Sequence, residues 1–386
     1  MPDGICRVYL SREHQRANER VAEWMRAVGM DTWVDAAGSV CGRYAGEQEN
    51  AKTLVIGSHL DTIPDAGRYD GILGVLLGIE VVGALHAASR RLPFAIEVIG
   101  FAEEEGVRFG ATLMASRAFA GTWDSDWWAL ADADGIDLRS AFAEFGLSAE
   151  QITQARRDAG SLLGYLEVHI EQGPVLESLD APLGVVTAIA GARRAQISIT
   201  GLAGHAGTTP MNLRRDALVA AAQGIALLEA LAVEYGVVAT VGQIECEPGG
   251  VNVIPGFVTF SIDVRAADDG LRDRVVAMFE TQLQSLCEAR SLALQVTPLH
   301  AAAAVACAPQ LQQAFAAAVT QLGLSPHELP SGAGHDAMAV ADVCPVGMLF
   351  LRCTDGISHN PAEAVTREDV AWSFAALERT VVNLAT

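Results

Sequence analysis

"TLVIGSHLDTIPDAGRYDGILGVLLGIEVVGALHAASRRLPFAIEVIGFAEEE", residues 53–105, reads as strand, loop, helix, strand. The runs TLVIGSHL (53–60) and FAIEVIGFA (94–102) are short, apolar and β-rich, and GILGVLLGIEVVGALHAAS (71–89) between them has helical length. Strands joined through such a helix form a βαβ unit, and hence a parallel pair. The style extends to both sides, with a helical SREHQRANERVAEWMRAVG (11–29) and a further strand in YLEVHIEQG (165–173). The expected fold class is α/β, with a first domain built on a mostly parallel sheet flanked by helices. In such sheets ligands gather beyond the carboxyl ends of the strands. His59, the run Glu103–Glu104–Glu105 and His169 all fall there.

From about residue 182 the rhythm changes. LGVVTAIAG, RAQISITGLAG, a long Ala/Leu helix around 214–233, VVATVGQIE, FVTFSIDVRA, a helix near 269–289 and LALQVTP spell strand, strand, helix, strand, strand, helix, strand. That order describes a compact α+β unit with an antiparallel sheet. The expected organisation is one discontinuous domain, 1–181 with 301–386, interrupted by an inserted domain, 182–300. APQLQQAFAAAVTQLG, VGMLFLRC and a final helix from Arg367 return to the first style.

A chain of 386 residues, 51% hydrophobic and 19% charged, has ample material for a core. No run of about 18 apolar residues stands out as a membrane span, and MPDGICRVYLSREHQ lacks both a basic start and an apolar signal core. Cytoplasmic localisation is the expectation, with no membrane partner. Lys and Arg number 26 against 47 Asp and Glu, and the net charge of −21 opposes phosphate backbones, so no nucleic-acid partner is expected. Seven scattered cysteines, none spaced C-x-x-C, point to buried reduced thiols rather than a disulfide framework or a thiolate zinc site.

Three glutamates in a row at the end of a buried strand need an explanation, because like charges repel and desolvating each is costly. An acidic run alone is more often a solvated loop. GSHLDTIPDAGRYDG, however, carries His59, Asp61 and Asp70: an imidazole at a strand end and a carboxylate opening a helix suit a metal site, and a carboxylate can bridge two cations. Asp61, two residues past His59, is placed to orient the ring as an acceptor. His169 in VHIEQGP, His335 in SGAGHDAM and His359 in GISHNPAE share a small, polar neighbourhood, whereas His14, His86, His300 and His327 read as ordinary. The pooled pattern points to a dinuclear hydrolase site, and two cations would balance the glutamates.

GSHLDT…YDG, AEEEGVRF, HIEQGPVLE, GHAGTTPM, VNVIPG, GHDAM and SHNPAE together resemble the dimetal amidohydrolases that comprise allantoate amidohydrolase, N-carbamoyl-L-amino-acid hydrolase and β-ureidopropionase, relatives of aminoacylases and carboxypeptidases. The motifs run in family order from 57 to 363. The resemblance implies two divalent ions, Zn or Mn, bridged by Asp70, one completed by His59 and His169, the other by Glu105 and His359. It makes Glu104 the general base and Glu103 a bystander. His205 in GLAGHAGTTPM would stabilise the tetrahedral intermediate in the partner subunit's site, so a homodimer through the inserted domain, acting as lid and dimerisation module, is implied.

An anionic substrate in so acidic a protein calls for guanidinium groups. Arg194 in GARRAQ, Arg265 in FSIDVRA and Asn252 in GGVNVIPG are similar in position to the family's carboxylate binders, and Gln172 to its ureido contact; His335 is either a substrate contact or a support behind one. The implied reaction is hydrolysis of the ureido C–N bond of a small carboxylate, first of all allantoate to ureidoglycine or ureidoglycolate with ammonia and carbon dioxide. The alternatives are N-carbamoyl-L-amino acids or β-ureidopropionate. A dipeptidase or aminoacylase would carry a carboxylate where His169 stands, and a non-catalytic metal-binding protein would not need Glu104.

Overall fold

A computed structural model describes residues 4–385. The chain divides into two compact units, one holding residues up to Thr187 together with those from Cys307 onward, the other holding Ala188–Ala306.

In the first unit the strands Ala95–Phe101, Thr53–His59, Leu162–Ile170 and Val346–Leu351 lie side by side and parallel, in that order. The parallel arrangement stops at the edges. Val40–Tyr44 pairs antiparallel with Ala95–Phe101 and with Asp31–Val34, and Leu183–Ile189 pairs antiparallel with Val346–Leu351. The first of these edges is a hairpin closed over Asp35–Ser39, where Gly38 takes a positive φ of 92° and the Asp35 carboxylate accepts the amides of Ala37 and Ser39. So short a turn permits only antiparallel pairing.

The helix Ile72–Ala87 has no polar face and is packed nearly all round, as a helix inside an α/β sandwich must be. Its Val75, Ile79 and Val82 share a core with Ile56, Val98, Val168 and Leu349 of the parallel strands and with Leu377 of the C-terminal helix Arg367–Asn383. Ser11 starts the helix Arg12–Ala27 and Thr366 starts Arg367–Asn383, each side chain accepting an amide hydrogen bond. Each cap contributes about 1 kcal/mol. Five of the seven thiols are buried; Cys6 and Cys246 are exposed.

The second unit is an antiparallel sheet in the order Ile244–Glu247, Phe257–Ala266, Gly191–Thr200, Ala293–Ala302. Phe257–Ala266 alternates strictly: Val258, Phe260, Ile262 and Val264 are buried, and the residues between them are partly exposed. The inward set meets Leu228 and Leu231 of the helix Ala217–Tyr235 and Val275, Phe279 and Leu283 of Asp269–Ala289.

Two expectations change. VVATVGQIE is two strands, Val238–Thr240 and Ile244–Glu247, both paired with Phe257–Ala266. The break falls at Gly242, and Gln243 and Ser261 then exchange hydrogen bonds as the second strand begins. Ala217–Tyr235, 19 residues with mean hydropathy 1.7, is long and apolar enough to cross a membrane by length and composition. Gln223 and Glu229 break its apolar run, so only its average hydropathy marks it; the helix lays Ala220, Ala221, Leu228 and Leu231 against the sheet.

Candidate metal centre

The parallel strands deliver their polar residues at one end. His59 is the last residue of Thr53–His59 and lies opposite Phe101 in the register, two positions before the glutamate run. His169 pairs with Phe350 near the end of Leu162–Ile170. The loop after Thr53–His59 returns with Asp70 just before its helix. That helix starts at Gly71, whose φ of 70° and position leave no room for a side chain: a Cβ there would lie 2.6 Å from atoms of the His59 ring.

His59 Nε2 is 3.7 Å and His169 Nε2 3.2 Å from Asp70 Oδ1, and His359 Nε2 is 3.2 Å from Asp70 Oδ2 and 3.7 Å from Glu105 Oε1. Two triads therefore share Asp70: His59–Asp70–His169 and Asp70–Glu105–His359. Glu104 forms a further grouping with His59 and Glu105, so its carboxylate borders both triads. His59, Asp70 and His169 are buried, whereas the His359 side chain is 46% exposed.

The donor chemistry identifies what such a cluster accepts. His59 Nδ1 donates to the Asp61 carbonyl at 3.0 Å and His169 Nδ1 to the Ile170 carbonyl at 2.9 Å. Each neutral ring then presents a bare Nε2. Those two nitrogens face each other at 3.5 Å across the Asp70 carboxylate. A buried set made only of acceptors is unstable without positive charge at its centre. Its nitrogen and carboxylate donors, without thiolate, suit zinc or manganese.

The same negative field shows in the acid–base balance. Burial would lower the His59 and His169 pKa values, but the nearby Asp61 carboxylate, with Oδ1 3.6 Å from Nδ1, raises the first well above its ordinary value, and Asp70 raises the second. The hydrogen bond to Asp70 raises His359. Burial opposes ionisation of Asp70, yet the imidazoles hold it well below the carboxylate range. His335 goes the other way: burial, then the charges of His169 and His59, lower it well below its ordinary value. His335 is not in either triad; its ring stands edge-on to His169 at 4.5 Å and its Nε2 hydrogen-bonds Ser331 Oγ at 2.7 Å.

The three glutamates have three environments. Glu103 points inward, accepts the Gly106 amide, and is pushed well up by burial and then by Asp61. Glu104 is 9% exposed and is pushed up to about 8 by burial, with His59 opposing and Glu105, Asp61 and Asp70 reinforcing. Glu105 is raised less, again chiefly by burial. The spacing places Asp61 as the acceptor that orients the His59 ring. The structure gives that contact to the Asp61 carbonyl, and the side chain does something else: Oδ1 accepts the Glu104 amide and Oδ2 the Glu105 amide, both at 3.0 Å, while Oδ1 stays 3.6 Å from His59 Nδ1.

Gln172, with φ of 57°, directs its amide nitrogen at both Asp70 oxygens, 3.3 Å each, and at Ser358 Oγ, 3.2 Å. In the second unit His205 is exposed and pairs with Val253, and its Nδ1 accepts the Gly207 amide at 3.0 Å. Asn252 is exposed, and its carbonyl accepts the Ala206 amide. Arg194 Nε donates to Asp263 Oδ2 at 2.9 Å, and Arg265 Nε and Nη2 reach the two oxygens of the same carboxylate at 3.0 and 2.9 Å. Both guanidiniums thus engage Asp263 with one edge.

Sequence reasoning missed the residues behind the two triads. Glu167, fully buried, accepts Ser58 Oγ at 2.8 Å, Tyr165 Oη at 3.2 Å and the Ala337 amide at 3.1 Å. Strand parity signals it, because Tyr165, Glu167 and His169 share one face of their strand. Glu363 is a second such residue; SHNPAE contains it, but nothing in that motif shows that it meets Tyr69 and Asp70.

Residues 55–383 match Peptidase family M20/M25/M40. An N-carbamoyl-L-amino acid amidohydrolase of Geobacillus stearothermophilus is 42% identical over 383 residues, covering 99% of this chain and 94% of that protein. Allantoate deiminase 1 of Glycine max is 40% identical over 399 residues, 95% of this chain and 82% of that protein. Among solved structures, a hydantoinase/carbamoylase family amidase from Burkholderia multivorans superposes with a TM-score of 0.94 at 34% identity, covering 100% of this chain and 94% of that one.

Proposed function

This chain belongs to peptidase family M20/M25/M40, and we propose that it is a metal-dependent amidohydrolase that cleaves the ureido C–N bond of a small carboxylate. The observation that carries the reading is the pair of histidine–carboxylate triads sharing Asp70, with Glu104 alongside. His59 and His169 would hold one divalent ion and Glu105 and His359 the other, with Asp70 between them. When bound, such ions polarise a carbonyl and make water more acidic.

The five ligands leave Glu104 over. Beside both triads but outside the five-ligand set, its carboxylate is placed to take a proton from water and pass it to the departing nitrogen. The Asp61 side chain fixes the amides on which Glu104 and Glu105 ride. His205 supports the reading in another way: with Nδ1 accepting the Gly207 amide, the neutral ring keeps its proton on Nε2, the polarity a developing oxyanion requires. Arg194, Arg265 and Asn252 remain the proposed carboxylate binders, and Gln172 the ureido contact. Assembly as a homodimer through the 188–306 unit is part of the same reading.

Allantoate is the proposed substrate. N-carbamoyl-L-amino acids are the second reading, favoured by the relative of that name at 42% identity. Steady-state assays with allantoate, several N-carbamoyl-L-amino acids and β-ureidopropionate, each with zinc and with manganese, separate them. Glu104→Gln should keep its ions and lose turnover by about 100-fold or more. Near-normal turnover in that variant removes Glu104 from the base role, and no hydrolysis of any ureido compound by the ion-loaded protein refutes the function.

A further inference from the structure

Glu363 is 4% exposed, and among the described residues no lysine or arginine forms an ion pair with its carboxylate. Burying an unpaired carboxylate is costly unless donors surround it. Three do. The Tyr69 amide at 2.7 Å and the Asp70 amide at 3.1 Å both donate to Oε1, and Ser358 Oγ donates to Oε2 at 3.0 Å. Ser358 in turn accepts from Gln172, whose amide nitrogen also faces Asp70.

The fit is reciprocal. A Cβ on Gly67 would lie 2.3 Å from Glu363 Cδ and Oε1, so the 67–70 loop is shaped around this side chain. On its own side Glu363 closes a tight loop: its amide donates to the Asn360 carbonyl at 3.0 Å, Asn360 Oδ1 accepts the Ala362 amide at 2.9 Å, and the Thr354 amide reaches the Ala364 carbonyl at 2.8 Å. His359 sits in that loop with φ of 56°. One carboxylate therefore ties the segment carrying Asp70 to the segment carrying His359, although Tyr69 and Glu363 are 294 positions apart in sequence.

We propose that Glu363 is a positioning residue, the latch that sets Asp70 and His359 at the spacing needed to hold one divalent ion together with Glu105. This rests on the reading of Asp70, Glu105 and His359 as ligands. Glu363 touches no ligand side chain; it acts through the Asp70 amide and through its own short loop.

The test compares wild type with Glu363→Gln, Glu363→Met and Glu363→Ala. Each is stripped with a chelator, titrated with ZnCl2 by calorimetry, and scored for zinc per chain after gel filtration, with thermal unfolding in parallel. The Met and Ala variants should hold the second zinc about 10- to 100-fold more weakly and, because Asp70 is shared, the first zinc less tightly by a smaller factor, with kcat falling and KM nearly unchanged. Gln should restore binding to within a few-fold of wild type, because its single oxygen can accept both amides while its NH2 group faces Ser358 Oγ.

Folded Met and Ala variants that hold two zinc ions with wild-type affinity overturn the proposal. A Gln variant as damaged as Met does the same, since negative charge rather than the amide latch would then matter. Loss of the fold in both Met and Ala makes Glu363 a residue of the fold and also overturns it. Wild type that takes up no zinc refutes the ligand reading beneath it, a result distinct from all of these.

Discussion

Replacing Asp61 by Asn isolates what its side chain does. Both carboxylate oxygens are spent on consecutive amides of the glutamate run, 3.0 Å each. The other side of that run is fixed too, with the Leu113 amide on the Glu104 carbonyl at 3.0 Å and the Ala115 amide on the Glu103 carbonyl at 3.4 Å. Asn keeps one acceptor and turns an NH2 group toward the other amide, so one charge-assisted bond weakens and one buried N–H loses its partner. The two effects cost about 2–4 kcal/mol together. Removing a negative charge relieves Glu103 and Glu104, both of which Asp61 pushes up, and returns about 1 kcal/mol. The net expectation is about 1–3 kcal/mol in urea unfolding and a loss of turnover of about 10- to 100-fold, because the proposed base and a proposed ligand share the released loop. The His59 ring should keep its tautomer, since Nδ1 donates to the Asp61 carbonyl, and its Nδ1–H resonance should persist in the nitrogen-15 spectrum. An Asp61→Asn variant with wild-type stability and turnover refutes the clamp. Loss of the His59 Nδ1–H signal would return the ring-orienting role to the carboxylate.

Two further outcomes are expected. His14 is buried, accepts the Leu10 amide on Nδ1 and faces the Gly38 carbonyl with Nε2; burial brings its pKa from 6.5 down to about 4. Below its ordinary value the unfolded chain takes up a proton that the folded chain refuses, so stability falls as pH drops from 6.5 toward 4. Between about pH 7 and pH 5 this term removes about 2 kcal/mol. His14→Gln should show that much less decline in urea unfolding, and an identical decline excludes the assignment. For the homodimer, mixing inactive His205→Ala with inactive Glu104→Gln should restore part of the activity if each centre uses a histidine from the other chain, and no recovery after subunit exchange argues for a centre built from one chain.

What was legible in the sequence followed short periodicities. Strand and helix lengths over 53–101 fixed the parallel middle of the first sheet, and the alternation in FVTFSIDVRA fixed the buried face of the second. His59 and His169 stood out because a polar residue ending an apolar strand has few structural uses. The edge hairpin from Asp31 to Tyr44 did not stand out, since its turn depends on one positive-φ glycine and an aspartate folding back on its own amides. The split of VVATVGQIE was likewise set by its partner strand. The supporting residues were hidden by distance: Ser58 meets Glu167 across 109 positions and Glu363 meets Tyr69 across 294. No window of sequence contains either pair.

The run of three glutamates shows why residue type and position alone under-determine a site. Adjacent side chains around a turn leave in different directions. Glu103 goes into the interior and bonds the Gly106 amide, Glu105 joins Asp70 and His359, and Glu104 is left beside both triads with its carboxyl near 8. What divides them is the backbone, held from one side by the Asp61 carboxylate and from the other by the start of the helix Met114–Ala120. Free to rotate, three carboxylates would spread into solvent to lower their repulsion. Pinned, Glu104 and Glu105 stay beside His59 and Asp70, where their repulsion would become affinity for cations. The proposed reactive arrangement is therefore stored in amide hydrogen bonds that carry no chemistry themselves, which is why substitutions at Asp61 and Glu363, neither of them a proposed ligand, should register in ion binding and turnover.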